Sequence, residues 1–203
     1  MKNVVIRAPL LTASGYGVHS RQIFKWLIGR EDFTVSTQCV PWGHTSWIVN
    51  PEYEDGIISE IMSRSSPDSE KKYDISFQVQ LPDEWDVTLA KINIGISAVV
   101  ETDRCNPEWI ESVNKMDLVI VPSNHAKLAL TNSGDVTTPI VVVPESYHES
   151  IDLENNESIN LEIDTKFNFL IVGQLTGNTP TTDRKNLFNT IKWLCGHFLK
   201  MKM

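Results

Sequence analysis

The residues best suited to chemistry lie towards the two ends of the chain. Gly15-Tyr16-Gly17 stands between an apolar run at Val4-Val5-Ile6 and a helical pattern that opens near His19. A strand, a glycine loop and a helix in that order cradle phosphates or sugars. Glycine lets backbone N–H groups approach a ligand, and a helix N-terminus favours negative charge. Towards the other end, Asp183-Arg184-Lys185-Asn186 opens a second amphipathic helix. Arg grips a phosphate through two parallel hydrogen bonds and Lys adds a point charge. Two cations in a first helical turn oppose the helix dipole, which predicts an anion beside them. Glu101-Thr102-Asp103-Arg104 follows the apolar run Ile92–Ile96. A carboxylate at the carboxyl end of a strand accepts hydrogen bonds from sugar hydroxyls or orients a general base. His19, at the start of the first helix, is placed to contact a ligand in the glycine loop. Each feature also has a plain structural explanation. These are a tight turn at the glycines, a solvated Asp103–Arg104 pair, a solvated Arg184–Lys185 pair, and satisfied histidines at His19, His44, His125 and His148.

Several function classes are disfavoured. A dinucleotide fingerprint needs a third glycine where Ser20 stands, and an acidic residue at the end of the second strand, where Cys39-Val40-Pro41 stands. A nicotinamide-dependent oxidoreductase is therefore the weakest alternative, and no cofactor is expected. Cys39, Cys105 and Cys195 form no Cys-x-x-Cys pair and no zinc spacing with the histidines, so no metal site is expected either. The net charge of −8, from 18 basic and 26 acidic residues, argues against a broad nucleic-acid surface. No apolar run reaches the roughly 18 residues of a membrane span. Met1-Lys2-Asn3 enters a strand pattern directly, so a cytoplasmic location is the expectation.

The elements that must position these residues alternate. Short apolar runs occur at Val4–Ile6, around Val35, and at Ile75-Phe77-Val79, Ile92–Ile96, Leu118–Val121, Ile140–Val143 and Phe167–Val172. Many are β-branched and nearly continuous, as parallel strands covered on both faces require. Helical stripes lie between them, at Ile23, Phe24, Leu27 and Ile28, and at Ile57, Ile58, Ile61 and Met62. Asn106-Pro107 predicts a helix start with Asn as cap, and Ser123 predicts another helix that Gly134 ends. The fold class expected is α/β, a doubly wound, Rossmann-like parallel sheet. From Glu149 to Asp164 six acidic residues occur without a Lys or Arg. The expected organisation is a domain over 1–150, an acidic linker over 151–166, and one strand and one helix of a second domain over 167–203.

In this order the segments resemble the retaining glycosyltransferases of family 4, which have the GT-B fold. The resemblance rests on Ser14-Gly15-Tyr16-Gly17 through Leu27, and on Asn93-Ile94-Gly95-Ile96, Glu101 and Pro107-Glu108-Trp109. It continues through Asp117-Leu118-Val119-Ile120-Val121-Pro122-Ser123, Val142-Val143-Pro144-Glu145, and Phe169–Gly173 with Arg184-Lys185-Asn186. It implies two Rossmann-like domains around a cleft and metal-independent transfer of a sugar from a nucleotide-sugar donor to an acceptor with retention. The N-terminal domain would mainly hold the acceptor. Gly15 and Gly17 would line the donor phosphates or sugar, and Glu101 would lie on the acceptor side. Lys185 would neutralise the donor diphosphate, with Arg184 beside it. Two departures stand out: Gln174 follows Gly173 where the family often has an Arg soon after, and the family's Glu-x7-Glu donor region would lie far beyond Met203. Turnover by this chain alone is not expected, so a non-catalytic sugar- or nucleotide-binding domain is the main alternative. The apolar face at Phe188, Ile191, Leu194 and Phe198 predicts self-association through the last helix.

Overall fold

The computed structural model describes residues 1–65, 73–147, 161–165, 167–173, 175, 177–183 and 185–200. Two compact units divide the chain, Met1–Asp152 and Leu153–Met203.

In the first unit β1 (Lys2–Ala8) turns Val4, Ile6 and Ala8 into one core, while Val5 is buried on the opposite face. A strand buried on both faces belongs inside a parallel sheet. Around it lie β2 (Phe33–Cys39), β3 (Tyr73–Val79), β4 (Ala90–Ile96), β5 (Leu118–Val121) and β6 (Ile140–Val142). All pair in parallel, in the order β2-β1-β3-β4-β5-β6. The chain goes from β1 to β2 on one side and returns to β3 on the other. The order therefore reverses between β1 and β3, and the fold is the doubly wound, Rossmann-like α/β class expected.

Helices α1 (Gly15–Ile28) and α2 (Tyr53–Ser63) pack on one face, where Phe24, Leu27, Ile58 and Ile61 meet Val4, Ile6 and Phe77. Helices α3 (Glu108–Val113) and α4 (Asn124–Thr131) build a second core on the other face with Val119 and Val121. The β3–β4 connection, with a 3-10 turn at Pro82–Glu84, is fastened by buried amides. Gln78 exchanges hydrogen bonds with Asp86 N and O, and Asn93 accepts from Ser76 Oγ (2.7 Å) while donating to Val87 O and Ala90 O. Gly95 leaves room for the Trp85 ring, which a Cβ would meet at 2.6 Å.

Helix boundaries shift from expectation where the chain's own side chains intervene. The first helix starts at Gly15, not near His19, because Ser14 caps it: Ser14 Oγ accepts from Gly17 N at 2.9 Å. Asn106 Oδ1 accepts from Glu108 N, but Pro107 is already helical and takes the cap position of α3. Helix α4 ends at Asn132, short of Gly134, while Ser123 caps its start as expected.

In the second unit the described residues form one helix, α5 (Leu187–Lys200). The strand expected at Phe167–Val172 does not form: residues 167–173 carry no secondary structure. A strand exists only by pairing, and the described part of this unit offers no second strand to pair with.

Candidate functional site

Open parallel sheets bind ligands outside the carboxyl ends of their strands, at the point where strand order reverses. Here that point lies above β1 and β3. The β1–α1 loop forms one wall of the crevice and is held from three directions. Thr12 donates through Oγ1 to Pro9 O (3.0 Å) and lies 2.8 Å from Ser14 Oγ. Buried Arg21, reaching back from α1, donates through one guanidinium nitrogen to Leu10 O and Thr12 O, and through Nε to Glu54 (3.2 Å). Residues after β2 fold over the loop: Ala13 N donates to Ser46 O and Ile48 N to Leu11 O. The loop is thereby rigid before any ligand arrives, which is what a preorganised site requires.

Tyr16 ties this wall to the end of β4. Its hydroxyl accepts from Ala98 N (2.9 Å) and shares a 3.1 Å hydrogen bond with Ser97 Oγ. Its ring stacks on Trp42 at 3.9 Å between centroids. Burial pushes the phenol pKa up, against the opposing pull of the Ser97 and Ala98 hydrogen bonds, so Tyr16 stays protonated at neutral pH. Beyond Ala98 the backbone is strained. Val99, buried and β-branched, sits at φ 63°, a region such residues rarely enter. Backbone strain of this kind concentrates at functional sites. Gln80, 4% exposed just past β3, carries a buried amide oxygen with no hydrogen-bond partner among the described residues.

The residues singled out from sequence fall as follows. Gly15 and Gly17 lie in the first turn of α1 and not in a loop. Gly15 is exposed, with open space where a Cβ would stand. Gly17 is buried, and a Cβ there would lie 2.1 Å from Thr12 O. The close approach that demands glycine at 17 is thus to the chain's own carbonyl. Glu101 is exposed, five residues beyond the end of β4. His19 lies one turn along α1 and faces a cavity beside the sheet. Burial lowers its pKa, while Glu145 and Gln22 act in the opposite direction. Arg184 and His148 fall outside the described residues. Lys185 belongs to the second unit and lies ahead of α5, not in its first turn. The buried carboxylate of Asp183 accepts from Phe188 N at 3.1 Å, at the start of α5. Among the described residues no group of three or more His, Cys, Asp or Glu is arranged to hold a metal, and no helix is long and apolar enough to cross a membrane.

Sequence reasoning passed over Arg21, Tyr16 and Gln80. A charge inside an apolar helical stripe was the available signal for Arg21. Nothing in the sequence marks the others, because the partners of Tyr16 are 81 and 82 residues away and the Gln80 oxygen has none among the described residues.

The carboxyl end of the sheet thus gathers a capped helix N-terminus, a braced loop, hydrogen-bonded hydroxyl groups and the Gln80 amide near the reversal point. No family model, no curated protein and no solved structure matches this chain.

Proposed function

We propose that the chain is the acceptor-side domain and following segment of a glycosyltransferase that moves a sugar from a nucleotide-sugar donor to an acceptor with retention, as the resemblance to family 4 implies. The observation that carries this is the crevice at the β1–β3 reversal. There the capped N-terminus of α1 and the β4 end leading to Glu101 are locked together by Tyr16. The parts suit sugar chemistry. The Gln80 amide oxygen, Glu101 and nearby hydroxyls recognise sugar hydroxyls, and a helix N-terminus stabilises charge on a departing diphosphate. Such a leaving group needs electrostatic help more than acid–base catalysis, and Lys185 is the residue that the resemblance assigns to that task. Arg184 would act beside it.

The runner-up is a sugar- or nucleotide-binding domain without turnover. It is favoured by the second unit, where residues 167–173 form no strand and the described residues build no donor-binding sheet.

Calorimetric titration of the full chain with uridine and guanosine diphosphates, and with a panel of hexoses and disaccharides, tests both. Binding of a saccharide that Gln80→Leu or Glu101→Gln weakens at unchanged melting temperature supports the crevice. Hydrolysis or transfer of a nucleotide sugar then separates the enzyme from the binder. Absence of binding to every nucleotide and saccharide would overturn both readings.

A further inference from the structure

The sheet face that α1 covers is roofed unevenly. Helices α1 and α2 lie over β2, β1 and β3, whereas α3 and α4 pack on the opposite face. Between α1 and the end of β6 lies a cavity of about 410 Å³. Its floor is Phe77, Ile96 and Ile120, one residue from each of β3, β4 and β5. Ile23 and Trp26 of α1 form one wall, with the Trp26 ring set edge-on to Phe77 at 6.2 Å between centroids. Val143 and Pro144 form the other.

Three observations define what fits. The two walls are tied together at one point, where Gln22 Nε2 donates to Ser146 O at 2.9 Å. A helix, about 10 Å across, does not pass between walls that one glutamine side chain spans. Among the described residues no Asp, Glu, Lys or Arg lines the cavity, and burial of His19 favours the neutral imidazole, against the opposing pull of nearby Glu145. A cavity of roughly 150 Å³ holds benzene, so this one holds a molecule of up to roughly sixteen heavy atoms.

We propose that this cavity is a binding site for a neutral, apolar small molecule, a fused aromatic or alicyclic ring system, whose polar end meets Gln22 and Ser146. The site is separate from the crevice above the strand ends and stands whether or not the chain transfers sugars. Preformed apolar pockets with a few polar groups at one end are the usual setting for such ligands.

The test is a fluorescence titration of the full chain with 1-aminoanthracene, a neutral fused-ring probe. The expected result is saturable binding of one probe per chain, reversed by 2-methylnaphthalene and not by the anion 1-naphthalenesulfonate. Val143→Trp places an indole in the cavity from a position already 48% exposed, and weakens the probe about tenfold or more. Ser146→Trp blocks the mouth while keeping the backbone carbonyl that Gln22 uses, and serves if the first variant melts early. Trp193→Ser in α5 leaves the titration unchanged. Unsaturable binding, equal displacement by the anion, full binding in both tryptophan variants, or loss of binding in Trp193→Ser would each overturn the proposal. So would probe release that tracks formation of dimers in sedimentation, since a second copy of the chain would then be the occupant.

Discussion

Two glycines one residue apart show how differently one residue type can be used. At Gly15 a Cβ meets nothing within 4 Å, whereas at Gly17 it would press into Thr12 O at 2.1 Å. Neither has a positive φ, so conformational freedom is not the issue at either position. Gly15→Ala is therefore expected to stabilise the protein, by about 0.5–1 kcal/mol, since alanine loses less chain entropy in a helix. Gly17→Ala is expected to cost ~1–3 kcal/mol, because the braced loop cannot retreat from the new methyl group. Chemical denaturation of the two variants checks this: the midpoints should move in opposite directions. The same contact means that loss of ligand binding in a Gly17 variant says nothing about a phosphate unless the melting curve is unchanged. His19 makes the residue-scale case for pH. Its folded-state pKa lies below the ordinary 6.5 because burial penalises the imidazolium. As pH falls through 6.5 the unfolded chain takes up this proton before the folded chain does. The contribution is thus fully present above 6.5 and is lost as pH falls towards the folded-state value. Melting curves between pH 8 and 5 should show a larger decline for the natural protein than for His19→Asn; an identical decline would remove His19 as the source.

At the scale of elements, α1 depends on its cap more than on its intrinsic preference. Its first turn contains two glycines and no acidic residue, so Ser14 Oγ is what satisfies Gly17 N. Ser14→Ala should cost about 1 kcal/mol and also release the 2.8 Å contact to Thr12, loosening the crevice wall. Hydrogen exchange confined to the first turn of α1 would register it; unchanged protection there would mean that Arg21 and the residues after β2 hold the loop without the cap. This helix also shows where the sequence was legible. Ser14 ahead of an amphipathic stripe carries a helix-start signal, but the glycines between them suggest a loop. Only the Thr12 contact explains why glycine stands in that turn. Strands β1 and β5 were readable from their nearly continuous apolar runs, and β4 from the alternation of Ile92, Ile94 and Ile96. Phe167–Val172 has the same composition and forms no strand, because composition supplies side chains to bury but not a partner for the backbone. The start of α2 was opaque for another reason. Glu54, Asp55 and Gly56 are all left-handed, and Glu54 meets Arg21 from 33 residues away. No local pattern encodes that pairing. The carboxyl end of the sheet was less legible: Gly15 and Gly17 read as a loop but are helical, and Tyr16, Gln80 and the strained Val99 acquire meaning only once the sheet brings β1, β3 and β4 side by side.

At the scale of the whole molecule the two units differ in how well they cover their apolar residues. In Met1–Asp152 two cores lie on opposite faces of one sheet, and their central residues are almost wholly buried. In Leu153–Met203 the apolar residues of the described stretches stay in contact with water. Leu170 is 88% exposed and Trp193 64%, and Val172, Ile191 and Phe198 are exposed as well. Aromatic contacts join some of the described residues, Phe167 with Phe169 and Phe169 with Phe198, each at 5.1 Å between ring centroids. One helix beside an extended segment cannot enclose a core, because each presents its apolar side only once. Contiguous exposed apolar surface drives association. The 203-residue chain is therefore expected to self-associate in a concentration-dependent way. Sedimentation velocity over a hundredfold concentration range measures this. Trp193→Lys should reduce association through the helix, and Leu170→Lys should reduce it through the extended segment, neither changing the melting of the first unit. If the natural chain stays monomeric throughout, the exposed residues of the second unit are not an association surface. If association persists undiminished in the double variant, its seat is the first unit, and the uncovered sheet face at Val141 and Val143 is where to place the next lysine.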